Sequence, residues 1–187
     1  MTACDLTKGA TALTQRRVEV TELAASVIRS DAAGLPFADG SFDVVWSWGV
    51  IHHSPRMDRC IAEIARVLAP DGEARVMVYN RDSIGYWVNI ILLKGLLLGR
   101  LGHMSPAELA SAHSDGHVAA FSTRRGVAGA FRRWFDRVAV EVWGQRSEVL
   151  PLPRPVRRVV LPMIPDVLVR AVLQRAGGFL FVIAKKG

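Results

Sequence analysis

The chain is poor in cysteine, with only Cys4 and Cys60 among its 187 residues. Two cysteines cannot build the disulfide framework of a small secreted domain, and the N-terminus carries no secretory signal. We therefore expect a reducing, cytoplasmic location. Long hydrophobic runs are lacking too, because the longest one, 87–98, is interrupted by Asn89 and Lys94. It is shorter than the about 20 residues that cross a bilayer, so a transmembrane protein is not expected.

Lysine is also scarce, since arginine supplies 20 of the 24 basic residues. The formal charge is +7, but residues 1–80 carry 8 basic against 10 acidic residues and residues 81–187 carry 16 against 7. No stripe of basic residues alternates with aromatic ones. We interpret the arginines mainly as a solvated surface, with binding to membrane headgroups or to nucleic acid as the alternatives, and we expect no nucleic-acid partner.

The composition is that of a globular domain, with half of the residues apolar and 22% charged. Over residues 1–80, short apolar runs alternate with amphipathic stretches, a pattern typical of βαβ units around a parallel sheet. The run 42–49 is almost continuously apolar, so we expect a strand that is buried on both faces. The patterns predict helices at 13–23 and 57–68 and strands at 26–30, 42–49 and 74–79.

The second half is less regular. An unusually apolar helical segment covers 84–101, and a polar connection follows it. His103, His113 and His117 in that connection are too irregularly spaced to predict a metal site. Further along, the patterns predict helices at 127–134 and 167–175 and strands at 137–143 and 179–184.

Polar and aromatic groups follow three predicted strands, where ligands bind in open α/β sheets. Asp5 follows a very short strand, and its carboxylate can accept hydrogen bonds from both hydroxyls of a ribose. Asp31 follows the strand 26–30 and can accept from the amino group of an adenine. The segment 46–53 follows the strongest strand, and its aromatic and imidazole groups can face a pocket. An N-cap for the next helix is the structural alternative for Asp5.

The order of these motifs resembles a known family. The motifs are Asp5-Leu-Thr7, the segment DAAGLPFADGSFDVVW at 31–46, Gly49-Val-Ile-His-His53 and Arg66-Val-Leu-Ala-Pro-Asp-Gly72. Together they resemble class I S-adenosylmethionine-dependent methyltransferases, above all the subgroup with the ubiquinone and menaquinone C-methyltransferases. The resemblance is dense over residues 1–80 and loose beyond them.

The resemblance implies an α/β, Rossmann-like, doubly wound and mostly parallel sheet with an antiparallel C-terminal strand. It also implies S-adenosylmethionine as the cofactor. We further expect a small-molecule acceptor, apolar or lipid-like, beneath the apolar helical segment. One domain would then comprise cofactor-side βα units (1–80), an apolar helical lid or insertion (81–126) and closing strands with a helix (127–187).

The same resemblance assigns roles to individual residues. Positions implied to contact the cofactor are Asp5 at the ribose, Leu6 at the adenine, Asp31 and Ala32 at the adenine amino group, and Trp46 and Ser47 at the methionine part. Positions implied to border the acceptor are His52, His53, Tyr79 and Asn80. His53 is the candidate general base, because a neutral imidazole is available near pH 7.

Several of these positions have a structural alternative. His53 can cap the turn that follows it, and Trp46 can belong to the core. Tyr79 and Asn80 can simply end a strand. The alternatives stay open on the sequence alone.

One departure from the family concerns its first strand and the Gly-rich turn after it, which the chain lacks. The sequence thus resembles an N-terminally truncated member, and the rival hypothesis is a non-catalytic remnant that acts as a binding module. In the family the missing strand lies between the strands that end at Asp5 and Trp46. We expect the strand at 3–5 to slide and pair directly with 42–47, since open edges leave unpaired backbone groups; a gap is the alternative.

The closing strands complete the expectation for the sheet. By the family's order, strand 179–184 inserts antiparallel beside 74–79, and strand 137–143 becomes the outer edge. The apolar segment 86–98 either packs over the sheet or acceptor pocket or lies as an interfacial helix that contacts a membrane peripherally.

Overall fold

Seven β-strands form two separate sheets in the residues that this computed structural model describes, which are 1–114, 118–152 and 154–187. The strands are β1 (Thr2–Asp5), β2 (Ser26–Arg29), β3 (Phe42–Trp48), β4 (Leu68–Asn80), β5 (Phe121–Ser122), β6 (Arg137–Trp143) and β7 (Phe179–Lys185). One sheet pairs β1 with β2, and the other has the order β3-β4-β7-β6 with β5 attached to β4. His117, considered above as a metal ligand, lies outside the described residues.

Helices surround these strands. They are α1 (Lys8–Val20), α2 (Met57–Val67), α3 (Pro106–Ser111), α4 (Arg124–Phe131), α5 (Arg154–Val160), α6 (Asp166–Ala176) and a π-helical segment, called the apolar helix below (Gly85–Leu97). α4 begins three residues before the predicted start, because the side chain of Thr123 accepts a hydrogen bond from the Gly126 amide and caps it.

The closing strands are arranged as predicted. β3 runs parallel to β4. β7 lies antiparallel between β4 and β6, with Ala74 opposite Ala184 and Val138 opposite Ala184 on the other side. The predicted α/β sheet with an antiparallel C-terminal strand is confirmed.

The predicted slide of the first strand is wrong. β1 pairs with β2 over its whole length, from Thr2 opposite Ser26 to Asp5 opposite Arg29, and not with β3. The loop after β2 is held on α2, since Arg59 Nε donates to the Ala33 carbonyl at 2.9 Å. This anchoring keeps the small sheet apart from the edge of β3 and leaves a gap between them.

The core lies on one face of the five-stranded sheet. α2 turns Cys60, Ile61, Ile64 and Ala65 toward it, and all four are buried. α4 adds Phe131, which is fully buried. This spacing of apolar residues by three and four positions places them on one stripe of α2, so helix formation and burial support each other.

The opposite face of β3 does not match the prediction of a strand buried on both sides. Val44 is 57% exposed, Trp46 56% and Trp48 45%. Trp46 stacks on Trp48 at 5.7 Å between ring centroids, and Phe181 of β7 contacts both rings. Because β3 is an edge strand of this sheet, its outward side chains find partners mainly in each other.

β3 and β4 meet through an irregular register near their starts. Phe42 lies opposite Leu68, but Val44 already lies opposite Glu73. Gly72 occupies this bulge, where a Cβ atom would lie 2.8 Å from the Ala69 carbonyl oxygen and 3.2 Å from that of Asp43. Only glycine fits so close an approach of two backbones, so the end of the motif 66–72 forms an irregular stretch within the strand pair.

Candidate active site

The gap between the two sheets is a cavity of about 520 Å³. Its walls come from the end of β1, the loop after β2, the edge of β3 and the loop that leads into α2. Six residues proposed for the cofactor line it, namely Asp5, Leu6, Asp31, Ala32, Trp46 and Ser47. His53 lines it as well. The volume lies within the range of about 300–1,000 Å³ that is usual for ligand pockets.

Asp5 ends β1 at the cavity wall. Its Oδ1 accepts hydrogen bonds from the Thr7 amide at 2.8 Å and the Thr7 hydroxyl at 2.9 Å. The N-cap of α1 is Thr7, whose hydroxyl oxygen accepts from the Ala10 amide. The N-cap alternative for Asp5 is therefore wrong, and the second carboxylate oxygen remains for a ligand.

Asp31 lies on the loop after β2. Its Oδ1 accepts from the Ala33 amide at 2.8 Å, and its Oδ2 contacts Arg56 Nη2 at 2.7 Å. The neighbouring Ala32 is partly buried, and Leu6 across the cavity is 59% exposed. A carboxylate and two apolar side chains thus line the same cavity.

Trp46 and Ser47 contribute differently to the edge of β3. Trp46 lies on the exposed face of the sheet, which excludes the alternative that it belongs to the core. Ser47 points to the other face and is 9% exposed. Its hydroxyl oxygen is buried without a hydrogen-bond partner among the described residues. A buried, unpaired hydroxyl beside a cavity is a group that a ligand can satisfy.

The two histidines after β3 lie in different environments. His53 Nδ1 is 2.8 Å from the Val118 carbonyl oxygen. A carbonyl only accepts, so this contact assigns the proton to Nδ1 and leaves the lone pair of the neutral ring on Nε2. His53 does not cap the following turn, because the N-cap position of α2 is Arg56 and has no side-chain cap.

His52 is fully buried, and neither of its ring nitrogens makes a hydrogen bond of normal geometry among the described residues, although the Met77 backbone lies near the ring. Burial, and next to it the charge of His53, lowers the pKa of His52 to about 4. His52 is therefore neutral at pH 7. Its ring centroid lies 4.1 Å from that of Tyr79, so it packs within an aromatic cluster.

Tyr79 and Asn80 end β4 with different contacts. The Tyr79 ring contacts His52, His53 and Phe121, and thus borders the wall that carries the imidazoles. Asn80 is buried, its Nδ2 donates to the Gly177 carbonyl and its Oδ1 accepts from the Asp82 amide. Both polar groups of Asn80 make hydrogen bonds within the fold. This agrees with the alternative that Asn80 simply ends the strand.

Sequence reasoning missed two residues of this region. Phe121 lies between Tyr79 and Tyr86, with ring centroids 5.1 Å and 5.2 Å away. It thereby connects the rings around the two histidines to the apolar helix. Arg56 reaches Asp31 from the start of α2. The pairing of the two-residue strand β5 with β4 has no local signal, but an arginine directly after Ser54-Pro55 could have been considered.

Comparison with known proteins assigns the first part of the chain. Residues 1–76 match the family model described as a methyltransferase domain. Over 71 residues the chain is 42% identical to phthiotriol/phenolphthiotriol dimycocerosates methyltransferase 1 of Mycobacterium ulcerans, a match covering 38% of this chain and 26% of that protein. Over 60 residues it is 46% identical to Probable tRNA methyltransferase 9B of Mus musculus, covering 30% of this chain and 13% of that protein. The matches thus span a small part of these relatives.

Solved structures extend the comparison to the whole chain. It superposes on a crystal structure of an S-adenosylmethionine-dependent methyltransferase from Thermotoga maritima with a TM-score of 0.63 and 16% identity, covering 100% of this chain and 72% of that chain. The fold is that of class I S-adenosylmethionine-dependent methyltransferases. The resemblance in sequence is confirmed over residues 1–76, and the cofactor implied by this family is S-adenosylmethionine.

The cavity can be tested against that cofactor. Its carboxylates and apolar side chains fit the nucleoside half, and the buried Ser47 hydroxyl stays a candidate for the methionine part. The methionine carboxylate calls for a row of backbone N–H groups, as a Gly-rich turn supplies. Within the described ranges, no strand and no Gly-rich turn occupies the gap between the β1–β2 sheet and the edge of β3. The residues described here therefore fit the nucleoside half of the cofactor.

Proposed function

We propose that this chain functions in an S-adenosylmethionine-dependent methyltransferase that acts on a small, lipid-like acceptor. The observation that supports this most is a cavity that brings together Asp5 at the end of β1, Asp31 on the loop after β2 and His53 in the segment between β3 and α2. Two carboxylates suit a nucleoside, and an imidazole with a free Nε2 suits an acceptor that must lose a proton.

Recognition of the cofactor rests on the two carboxylates. S-adenosylmethionine, when bound, supplies a methyl group on a positively charged sulfur. Asp5 accepts from the ribose hydroxyls through the oxygen that Thr7 does not use. Asp31 accepts from the adenine amino group, and Leu6 and Ala32 pack on the ring. Such positioning, together with the exclusion of water, is the main contribution that a protein makes to methyl transfer.

His53 acts on the acceptor as the general base. Its Nδ1–H donates to the Val118 carbonyl, so its Nε2 would take the proton that an acceptor hydroxyl or amine loses when it is methylated. Tyr79 forms the neighbouring wall. His52 is held neutral behind that wall and supports the cluster through ring packing.

The apolar helix favours a lipid-like acceptor. Its buried residues Tyr86 and Ile90 pack against Leu109 and Ala110, and Phe121 joins this cluster to Tyr79 at the site. On its outer side, exposed apolar residues stand beside two basic ones, Lys94 and Arg100. They are Trp87, Leu92, Leu93, Leu96, Leu97 and Leu98. We include in the proposal that residues 86–98 contact a membrane surface peripherally.

None of the helices in the described part of the chain is long and apolar enough to cross a membrane. Cys4 is exposed, Cys60 is buried, and the two are not bridged. Both thiols are compatible with the reducing cytoplasm, where we place the protein as part of the proposal.

Binding of the non-reactive product S-adenosylhomocysteine to the purified chain, measured by isothermal titration calorimetry, tests the cofactor site. Asp31→Ala should weaken binding about 10-fold, because it removes a hydrogen bond to a charged acceptor. Asp58→Ala is the matched control, since the Asp58 side chain is 77% exposed and lies outside the cavity. Equal affinities of the wild-type chain and Asp31→Ala would contradict the assignment.

Transfer of a labelled methyl group to phenols and long-chain alcohols in micelles, with tRNA as a comparison substrate, tests the reaction. His53→Ala should lower the rate about 100-fold or more if the acceptor is a hydroxyl. His103→Ala, an exposed histidine elsewhere, should not change it. Binding of S-adenosylhomocysteine without transfer to any acceptor would instead favour the non-catalytic binding module.

A further inference from the structure

Arg56 bridges the two walls of the cavity. It stands at the N-cap position of α2, and its Nη2 lies 2.7 Å from Oδ2 of Asp31 on the loop after β2. Both residues line the cavity. The Arg56 side chain is 59% exposed and that of Asp31 39%. The contact therefore lies at the mouth of the cavity, where a ligand would meet it.

The Asp31 carboxylate is oriented from both sides. The Ala33 amide donates to Oδ1 at 2.8 Å, and Arg56 donates to Oδ2. Each carboxylate oxygen has two lone pairs, so both oxygens can still accept one more hydrogen bond. The two donors thus fix the direction of the remaining lone pairs without using them up.

Other contacts between α2 and this loop do not reach a carboxylate that lines the cavity. Arg59, one turn further along α2, donates from Nε to the Ala33 carbonyl oxygen at 2.9 Å. Glu63 accepts from the Leu35 amide at 2.8 Å. These contacts hold the loop backbone, whereas Arg56 holds the side chain that faces the ligand. An exposed ion pair alone adds little stability, so its position suggests another role.

We propose that Arg56 is a positioning residue that orients Asp31 to accept from the 6-amino group of a purine nucleoside. This role rests on the proposed function and deepens it, because it makes the pair Arg56–Asp31 the determinant of purine specificity. An ionised, oriented carboxylate accepts from the amino group of adenosine. It repels the 6-carbonyl oxygen of inosine, which cannot donate.

The ratio of the dissociation constants for inosine and adenosine is the test, measured by titration of the full chain. The wild-type chain should prefer adenosine about 10-fold or more, and Asp31→Asn should abolish the preference. Arg56→Gln should reduce the preference about 3- to 10-fold, since the carboxylate loses one of its two orienting donors. Arg56→Lys keeps a charged donor and should restore most of the preference.

The matched control is Arg59→Gln, which removes a contact to the same loop without touching the carboxylate. It should weaken the binding of both nucleosides alike and leave the ratio of their dissociation constants unchanged. In the wild-type chain, raising the salt concentration should lower the ratio, because the exposed pair is screened; in Arg56→Gln the ratio should not respond. Thermal melts of each variant check that the fold is retained.

The outcomes separate the two proposals. If Asp31→Asn loses the preference but Arg56→Gln keeps it in full, Arg56 has no positioning role and the proposed function stands. A wild-type chain that binds neither nucleoside, or binds both equally, contradicts the nucleoside site itself and this role with it.

Discussion

Two regions of the molecule differ sharply in how much they bury. Residues 1–30, called the N-terminal unit, contain β1, α1 and β2, and α1 has no buried residue. The sheet body consists of β3–β7 with α2 and α4, and α2 alone buries five residues. Both candidate cofactor carboxylates lie on or directly beside the N-terminal unit. The wall proposed to bind the nucleoside is thus formed largely by the less buried region, whereas His53, proposed to face the acceptor, lies between β3 and α2 of the more deeply buried one.

Polar contacts, more than apolar ones, hold the loop after β2 on the sheet body. Arg66 donates from Nη1 to the Phe37 carbonyl and from Nη2 to the Leu35 carbonyl. It also donates to Glu63, and this hydrogen bond is the main reason why the pKa of Glu63 is lowered. α2 thus packs on two partners, with an apolar stripe toward the sheet and a charged stripe toward the loop.

The two regions should differ most in how much free energy of unfolding is lost when an apolar side chain is truncated to alanine. Phe131→Ala should cost about 3–5 kcal/mol of unfolding free energy, because Phe131 is fully buried in the sheet body. Leu13→Ala in α1 should cost less than about 0.5 kcal/mol, since Leu13 is 55% exposed. Urea denaturation followed by tryptophan fluorescence measures both. Similar costs would show that the N-terminal unit is packed as tightly as the body.

A pH titration of stability probes the sheet body through His52. Its pKa is lowered from 6.5 to about 4, so the unfolded chain takes up a proton below pH 6.5 while the folded chain does not. The stability due to neutral His52 is therefore complete above pH 6.5 and is lost as the pH falls toward 4. The loss should approach about 1.4 kcal/mol per pH unit, or about 3 kcal/mol in all.

His52→Phe should flatten this pH dependence, and the slope rather than the absolute stability is the readout. His103→Phe, on the exposed connection, is the control and should keep the wild-type slope. A slope that His52→Phe leaves unchanged would place the responsible group elsewhere.

Replacing glycine by alanine should change the free energy of unfolding in opposite directions in the two regions. Gly72→Ala in the bulge of β4 should cost about 2 kcal/mol, because its Cβ would approach two backbone oxygens. Gly9→Ala in α1 meets no atom within 4 Å and should stabilise that helix by about 0.5–1 kcal/mol. Thermal and urea unfolding measure the first, and circular dichroism of α1 helicity the second. If both substitutions destabilised or both stabilised the protein, the difference in packing between the two regions would be contradicted.

The smallest expected change in stability comes from replacing the N-cap threonine of a helix in each region. Thr7 accepts from the Ala10 amide at 3.2 Å and Thr123 from the Gly126 amide at 3.0 Å. Replacing either by Ala should cost about 1 kcal/mol. Thr123→Ala should lower global stability, whereas Thr7→Ala should only speed amide hydrogen exchange in α1. A global loss of stability in Thr7→Ala would mean that both regions unfold together.

The strand order of the body and its antiparallel closing strand were predictable, because apolar runs such as 137–143 and 179–184 carry a local signal and the family order supplied the rest. The gap beside β1 was not predictable from the sequence. Whether β1 pairs with β3 depends on how α2, later in the chain, holds the loop after β2. The same holds for the exposed face of Trp46 and Trp48. An apolar run indicates a strand but does not say whether a second layer covers it.

For the site, the amino-acid sequence is enough to place each side chain after its strand, because the local alternation of helix and strand sets those positions. The partners of these side chains follow from the folded structure. It brought Arg56 to Asp31, set the proton of His53 through the Val118 carbonyl, and buried His52 in an aromatic cluster. Each of these contacts joins residues at least 25 positions apart or depends on burial by the whole sheet. Physical proximity of that kind arises from packing, which local sequence patterns do not encode.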